Sequence, residues 1–109
     1  MNIFVTDQCP HTSARSLPDK HIVKMPLESC QMLSIIYSKW YFNWGDLHKM
    51  NGEPYATKKG AFRNHPCTKW AALNVHNTAW LIQHGCALAS EYHRRYDKIH
   101  SCSKTLFEA

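Results

Sequence analysis

Two long stretches of the chain place apolar residues three and four positions apart. In the first, Ile22, Met25, Met32, Leu33, Ile36, Tyr37 and Trp40 fall on one face of a 3.6-residue repeat, with Ser29 in the same row. The spacing predicts a helix over about 18–40, with Pro18 in a tolerated first-turn position and Asp19 facing the helix N-terminus. Pro26 lies inside the pattern and predicts either a kink or a late start. In the second, Trp70, Leu73, Trp80, Leu81, Leu88 and Tyr92 predict helix over about 65–97, opened by Asn64-His65-Pro66. The amide and β-branched residues from Asn74 to Thr78 are a point where this stretch divides in two. Arg94, Arg95 and Lys98 complement the negative end of the helix dipole.

The remaining segments are short or irregular. Ile3 to Thr6 is β-prone and ends quickly at Asp7, Cys9 and Pro10. Thr12 or Ser13 then caps a brief turn through Leu17, and Ser101 onward reads as a short tail. From about 42 to 63 the periodicity fails, and Asn43, Gly45, Asn51, Gly52, Pro54 and Gly60 mark a long connection. So long a loop in a small domain is often a binding loop. Its Trp44 and Tyr55 either meet nucleobases or pack back onto the core. The expected fold is mainly α: one compact helical bundle over 1–109, with a short extended N-terminus and a long middle loop.

Composition narrows the function. At 44% hydrophobic residues the chain fills a core unaided, and an odd count of five cysteines without an export signal points to reduced thiols. No apolar run approaches the length of a bilayer span, so no membrane partner is expected. The N-terminus lacks a basic start followed by a long apolar stretch, which predicts a cytoplasmic protein. A formal net charge of +5, before eight histidines are counted, favours polyanions.

Two constellations carry candidate chemistry. His21, Lys24, Glu28 and Gln31 share one stripe of the first helix. One carboxylate flanked by a histidine, a lysine and an amide suits proton transfer beside a phosphate backbone, and the same stripe also suits a solvated face with a Lys24–Glu28 pair. Arg15, Lys20 and Lys24 near this helix, and Lys58, Lys59, Arg63, Asn64, His65 and Lys69 around the second helix start, are candidate nucleic-acid contacts. Separately, Cys9–His11, His65–Cys67, His84–Cys86 and His100–Cys102 repeat a one-residue gap. Two such pairs, foremost Cys9–His11 with His65–Cys67, have the donor set of a tetrahedral zinc site, although the gap is not that of a zinc finger.

The run Asp19-Lys20-His21-Ile22 followed by Glu28 resembles the first long helix of the pyrimidine-dimer DNA glycosylase (endonuclease V) family. The wider frame is also similar to small phage and bacterial proteins of that family: Ser13-Ala14, Leu17, Lys24 and Gln31, then Asn64-His65-Pro66 and Trp70, then Glu91-Tyr92. The resemblance implies an all-helical, phage-type DNA-repair enzyme that acts on damaged double-stranded DNA, with no cofactor. In that family the α-amine at the chain start attacks the sugar at an ultraviolet-induced cyclobutane dimer, and β-elimination from the resulting imine nicks the strand. Here the amine belongs to Met1, because a bulky Asn2 leaves Met1 in place, and Glu28 matches the family's helix glutamate. The alternative is a non-catalytic helical module that binds nucleic acid or a host protein.

Overall fold

The computed structural model describes residues 8–57 and 59–109. The extended segment expected at Ile3–Thr6, Met1 and Lys58 lie outside the described residues. Five helices occur among the described residues: α1 Pro10–Arg15, α2 Asp19–Tyr37, α3 Pro66–Ala72, α4 Val75–Tyr96 and α5 Ser103–Glu108. α4 packs against each of the other four, and α2 lies beside α3, α4 and α5. The radius of gyration, 12.9 Å, is that of a compact folded chain of this length.

Each helix start has a local cause. Pro10 and Pro66 occupy first-turn positions, where the missing N–H costs nothing. His65 caps α3 through Nδ1, which accepts the Cys67 amide at 3.1 Å, and Asn74 caps α4 by accepting the Asn77 amide at 2.9 Å. This second cap splits the expected 65–97 helix, as the Asn74 signal implied. α4 ends at Asp97 in a left-handed conformation, φ 53°.

Four expectations are corrected. α1 begins at Pro10 with Cys9 as its extended cap, so Thr12 and Ser13 lie inside the helix rather than capping it. α2 does not start late at Pro26. It runs through a proline whose ring is fully buried, in a helix that packs against α3, α4 and α5. α2 also stops at Tyr37 rather than near 40, because the chain turns at Ser38, whose hydroxyl donates to the Ile35 carbonyl at 2.6 Å. The tail from Ser101 is helical: Leu106 of α5 is fully buried and approaches α4 at Gly85, where an added Cβ would stand 2.6 Å from its methyl.

Two buried clusters share α2 and α4. One joins Ala14 and Leu17 to Ile22, Met25 and Leu88. The other gathers Cys30, Met32, Leu33, Ile36, Ala71, Leu81 and Leu106, with Leu47 from the long connection. That connection is ordered by its own hydrogen bonds. Leu47 to Tyr55 forms a hairpin-like turn, with Lys49 N donating to Glu53 O at 2.7 Å and Tyr55 N to Leu47 O at 2.9 Å. α5 clamps it: Glu108 accepts from the His48 amide at 2.8 Å and contacts the His48 ring at 2.8 Å, and Thr105 donates to the His48 carbonyl.

Candidate active site and nucleic-acid face

A groove of about 720 Å³ runs along the first half of α2. Its α2 wall carries Lys20, His21, Lys24 and Glu28, and the opposite wall is His100-Ser101-Cys102 from the α4–α5 connection. The helical stripe read from sequence therefore faces one cavity, except Gln31, which lines a neighbouring groove. His21 and Glu28 are half-buried, whereas Lys20 and Lys24 are exposed. Among the described residues lining the groove Glu28 is the sole carboxylate, one and two turns along α2 from Lys24 and Lys20. The arrangement offers one anionic group to a cationic reacting centre and two cations to flanking phosphates.

The far wall is held rigidly. His100 is 8% exposed, and both ring nitrogens are occupied. Nδ1 accepts the Cys102 amide at 3.0 Å, which leaves the Nε2 hydrogen to donate to the Val23 carbonyl at 2.8 Å. This bond staples the connection to α2. Behind it, Cys30 directs its thiol at the Cys102 carbonyl, 3.7 Å away. The contact with Cys102, together with burial, pushes the Cys30 thiol up, while hydrogen bonding from Cys30 draws Cys102 down.

The start of α2 is fixed by Arg95 from α4. Its guanidinium donates to the carbonyls of Leu17 at 2.9 Å and Arg15 at 3.0 Å, and to the Asp19 carboxylate at 2.9 Å. It also pairs with Glu91 at 2.9 Å, a carboxylate only 4% exposed. Arg94 and Arg95 together hold the Glu91 carboxyl below the usual carboxylate range despite its burial. The entry to α1 is tied to α4 in the same manner, through Trp80 to the Gln8 carbonyl at 2.8 Å and His84 to the Pro10 carbonyl at 3.1 Å. Burial lowers the pKa of His84, in keeping with a neutral ring that donates from Nδ1.

The basic candidates fall into two sets. Arg15, Lys20 and Lys24 surround the α1–α2 corner. Lys59, Arg63, Asn64, His65 and Lys69 belong to the loop before α3 and to α3 itself, and none of these five lines either groove. Lys59, Asn64 and Lys69 are exposed. Arg63 is half-buried, its guanidinium 4.6 Å from the Trp40 ring centre and bonded to the carbonyls of Lys59 and Gly60. His65 is engaged as the α3 cap. Of the loop aromatics, Tyr55 packs against the core, while Trp44 stays 53% exposed and stacks on Phe42 at 4.5 Å.

The second groove, about 520 Å³, meets the first at Leu27, Ser101 and Cys102. Leu27, Met50 and Phe62, all of them exposed, are among its lining residues. Sequence singled out neither Phe62, which lines this second groove, nor the His100-Ser101-Cys102 wall of the first. The only hint was the His100–Cys102 pair, noted as half of a zinc site. Among the described residues no group of three or more His, Cys, Asp or Glu side chains is placed to hold a metal ion, and Cys9–His11 and His65–Cys67 form no such cluster.

The family model described as pyrimidine dimer DNA glycosylase matches residues 1–104 of the 109. No curated relative and no solved structure matches the chain. The chain belongs to the pyrimidine dimer DNA glycosylase family.

Proposed function

We propose that this member of the pyrimidine dimer DNA glycosylase family is both a glycosylase and an AP lyase on dimer-containing duplex DNA, with the Met1 α-amine as nucleophile and Glu28 as its catalytic carboxylate. An α-amine has a pKa of about 7.7–8.0, so a useful fraction is neutral near pH 7.5, where a lysine is almost wholly protonated. The amine lone pair forms a bond to the sugar C1′, and the glycosylic C–N bond breaks with its electrons leaving on the base. Ring opening with loss of the amine proton gives the imine. Removal of a C2′ proton then expels the 3′ phosphate and nicks the strand.

Two positive charges develop along this path, on the sugar as the base departs and on the protonated imine. Glu28 is the groove's anionic group, so its carboxylate is worth most at those points and also accepts the C2′ proton. His21, two α2 turns from it, relays protons at the groove wall. Lys20, Lys24 and Arg15 hold the phosphates flanking the lesion. Lys58, Lys59, Arg63, Asn64, His65 and Lys69 form a second contact, in which Arg63 and His65 act chiefly by shaping the loop. The observation that carries this reading is the sole carboxylate among the described lining residues, Glu28, sharing one groove with Lys20 and Lys24.

Glu28→Gln tests it, with nicking of ultraviolet-irradiated plasmid and binding to a dimer-containing duplex measured side by side. The expected outcome is a loss of roughly 10²-fold or more in nicking with affinity changed little. Unchanged nicking would remove Glu28 from the mechanism, and parallel loss of binding and nicking would make its role structural.

A further inference from the structure

Phe62 has φ 67°, a left-handed conformation that a bulky aromatic residue rarely adopts. The surroundings impose it. The Arg63 amide donates to Gly60 O at 3.1 Å and the His65 amide to Phe62 O at 3.1 Å, while Tyr41 donates to the Arg63 carbonyl. On the other side Trp40 Nε1 binds Thr57 O at 2.8 Å, and Gly60 lies flat against the Trp40 ring. A loop braced this closely would be expected to bury its aromatic residue, yet the Phe62 ring is 45% exposed. The strained residue therefore leaves nearly half of its surface uncovered within this chain.

The ring's position is informative. Phe62 stands at the groove that adjoins the Glu28 groove, with exposed Leu27 and Met50 beside it. Lys49 lines the same groove, Lys59 is exposed close to Phe62 in the chain, and Lys20 and Lys24 lie beyond the shared edge. The surface thus presents an apolar ring between positively charged flanks, complementary to a base step between two phosphate strands.

We propose that Phe62 is a stacking wedge, a positioning residue whose ring enters the base stack beside the lesion and holds the opened step while the damaged nucleotide occupies the Glu28 groove. The inference rests on the DNA-glycosylase reading of that groove. An apolar ring stacks on any base, so the wedge adds opening without sequence preference. It acts where the pair is already weakened by damage.

Phe62→Ala, Phe62→Leu and Phe62→Gly are compared with the parent chain on a dimer in a fully paired duplex and on the same dimer flanked by mismatches. Single-turnover cleavage by Phe62→Ala should fall roughly tenfold or more on the paired duplex and recover to within about threefold of the parent on the pre-opened one. Phe62→Leu, which keeps a wedge, should retain most activity. Phe62→Gly, which relieves the backbone, should be as slow as the alanine variant while melting no lower than it. Equal loss on both duplexes, or no loss on either, would overturn the proposal. In a second arm, 2-aminopurine beside a non-cleavable abasic analogue reports unstacking by binding alone. Its fluorescence rise should vanish in Phe62→Ala, and a rise that persists would overturn the wedge. If the parent chain cuts neither duplex, the glycosylase reading fails, and this second arm still decides the wedge by itself.

Discussion

Replacing Arg95 with alanine removes the clamp that joins α4 to the start of α2. The Leu17 carbonyl, on a residue 4% exposed, loses its guanidinium donor, and an orphaned buried acceptor costs about 1–3 kcal/mol. Glu91, 4% exposed, loses a charged hydrogen bond of about 1.5–3 kcal/mol. Asp19 and the Arg15 carbonyl are exposed, so water replaces their contacts with little net change. The sum is about 2.5–6 kcal/mol, a large share of the 5–15 kcal/mol that holds an ordinary domain together. At about 4 °C per kcal/mol for a chain of this length, the melting temperature should fall by roughly 10–24 °C. Arg94 is the informative control. It also contacts Glu91, but its side chain is 68% exposed against 17% for Arg95, so solvent screens it. Circular-dichroism melts at pH 7 should therefore show a large loss for Arg95→Ala and a small one for Arg94→Ala. Equal losses, or an Arg95→Ala variant within a few degrees of the parent, would refute the assignment of the clamp to Arg95.

Three further outcomes follow from the same contacts. Glu91 has a folded pKa depressed by Arg94 and Arg95, so its stabilisation is complete above the unfolded value of about 4.3 and is lost as pH falls through the folded one; the stability gap between parent and Glu91→Gln, measured by urea titration, should be constant from about pH 7 to 5 and close below about pH 4. Gly60→Ala places a Cβ 2.6 Å from the Trp40 ring at φ 63°, so it should cost about 2–3 kcal/mol, visible in both melting and tryptophan fluorescence. Lys20→Ala and Lys24→Ala should each flatten the log–log salt dependence of duplex binding by about 0.9, and unchanged slopes would take these lysines off the phosphate backbone.

Much of the α2 side of the site was legible because a helix converts spacing into direction. His21, Lys24 and Glu28 share a face by arithmetic, and the apolar row from Ile22 to Tyr37 fixes which face is buried. The proline and asparagine signals at Pro66 and Asn74 likewise act within a few residues and survived folding. The opposite wall had no such signal. His100 is placed by a bond to Val23, 77 positions away, and its local pairing with Cys102 carries no hint of that partner. α5 was missed for a related reason: Ser103–Glu108 is too short to show a period, and it exists because Leu106 packs on Gly85 and Glu108 grips His48. Arg63 illustrates the limit of reading charge. Its sequence neighbourhood suggested phosphate, while its guanidinium lies on Trp40 and closes the turn that presents Phe62.

Borohydride trapping tests the central claim most directly. The chain is mixed with ultraviolet-irradiated duplex, with abasic duplex and with undamaged duplex, each in the presence of borohydride. A reduced covalent adduct with the first two substrates and not the third, mapping by peptide mass to the N-terminal α-amine, is the expected result. Nicking of damaged duplex without any adduct, or an adduct mapping to an internal lysine, would contradict the mechanism. No adduct and no nick on either damaged substrate, from a chain whose α-amine is shown to be free, would leave a DNA-binding module without the lyase chemistry.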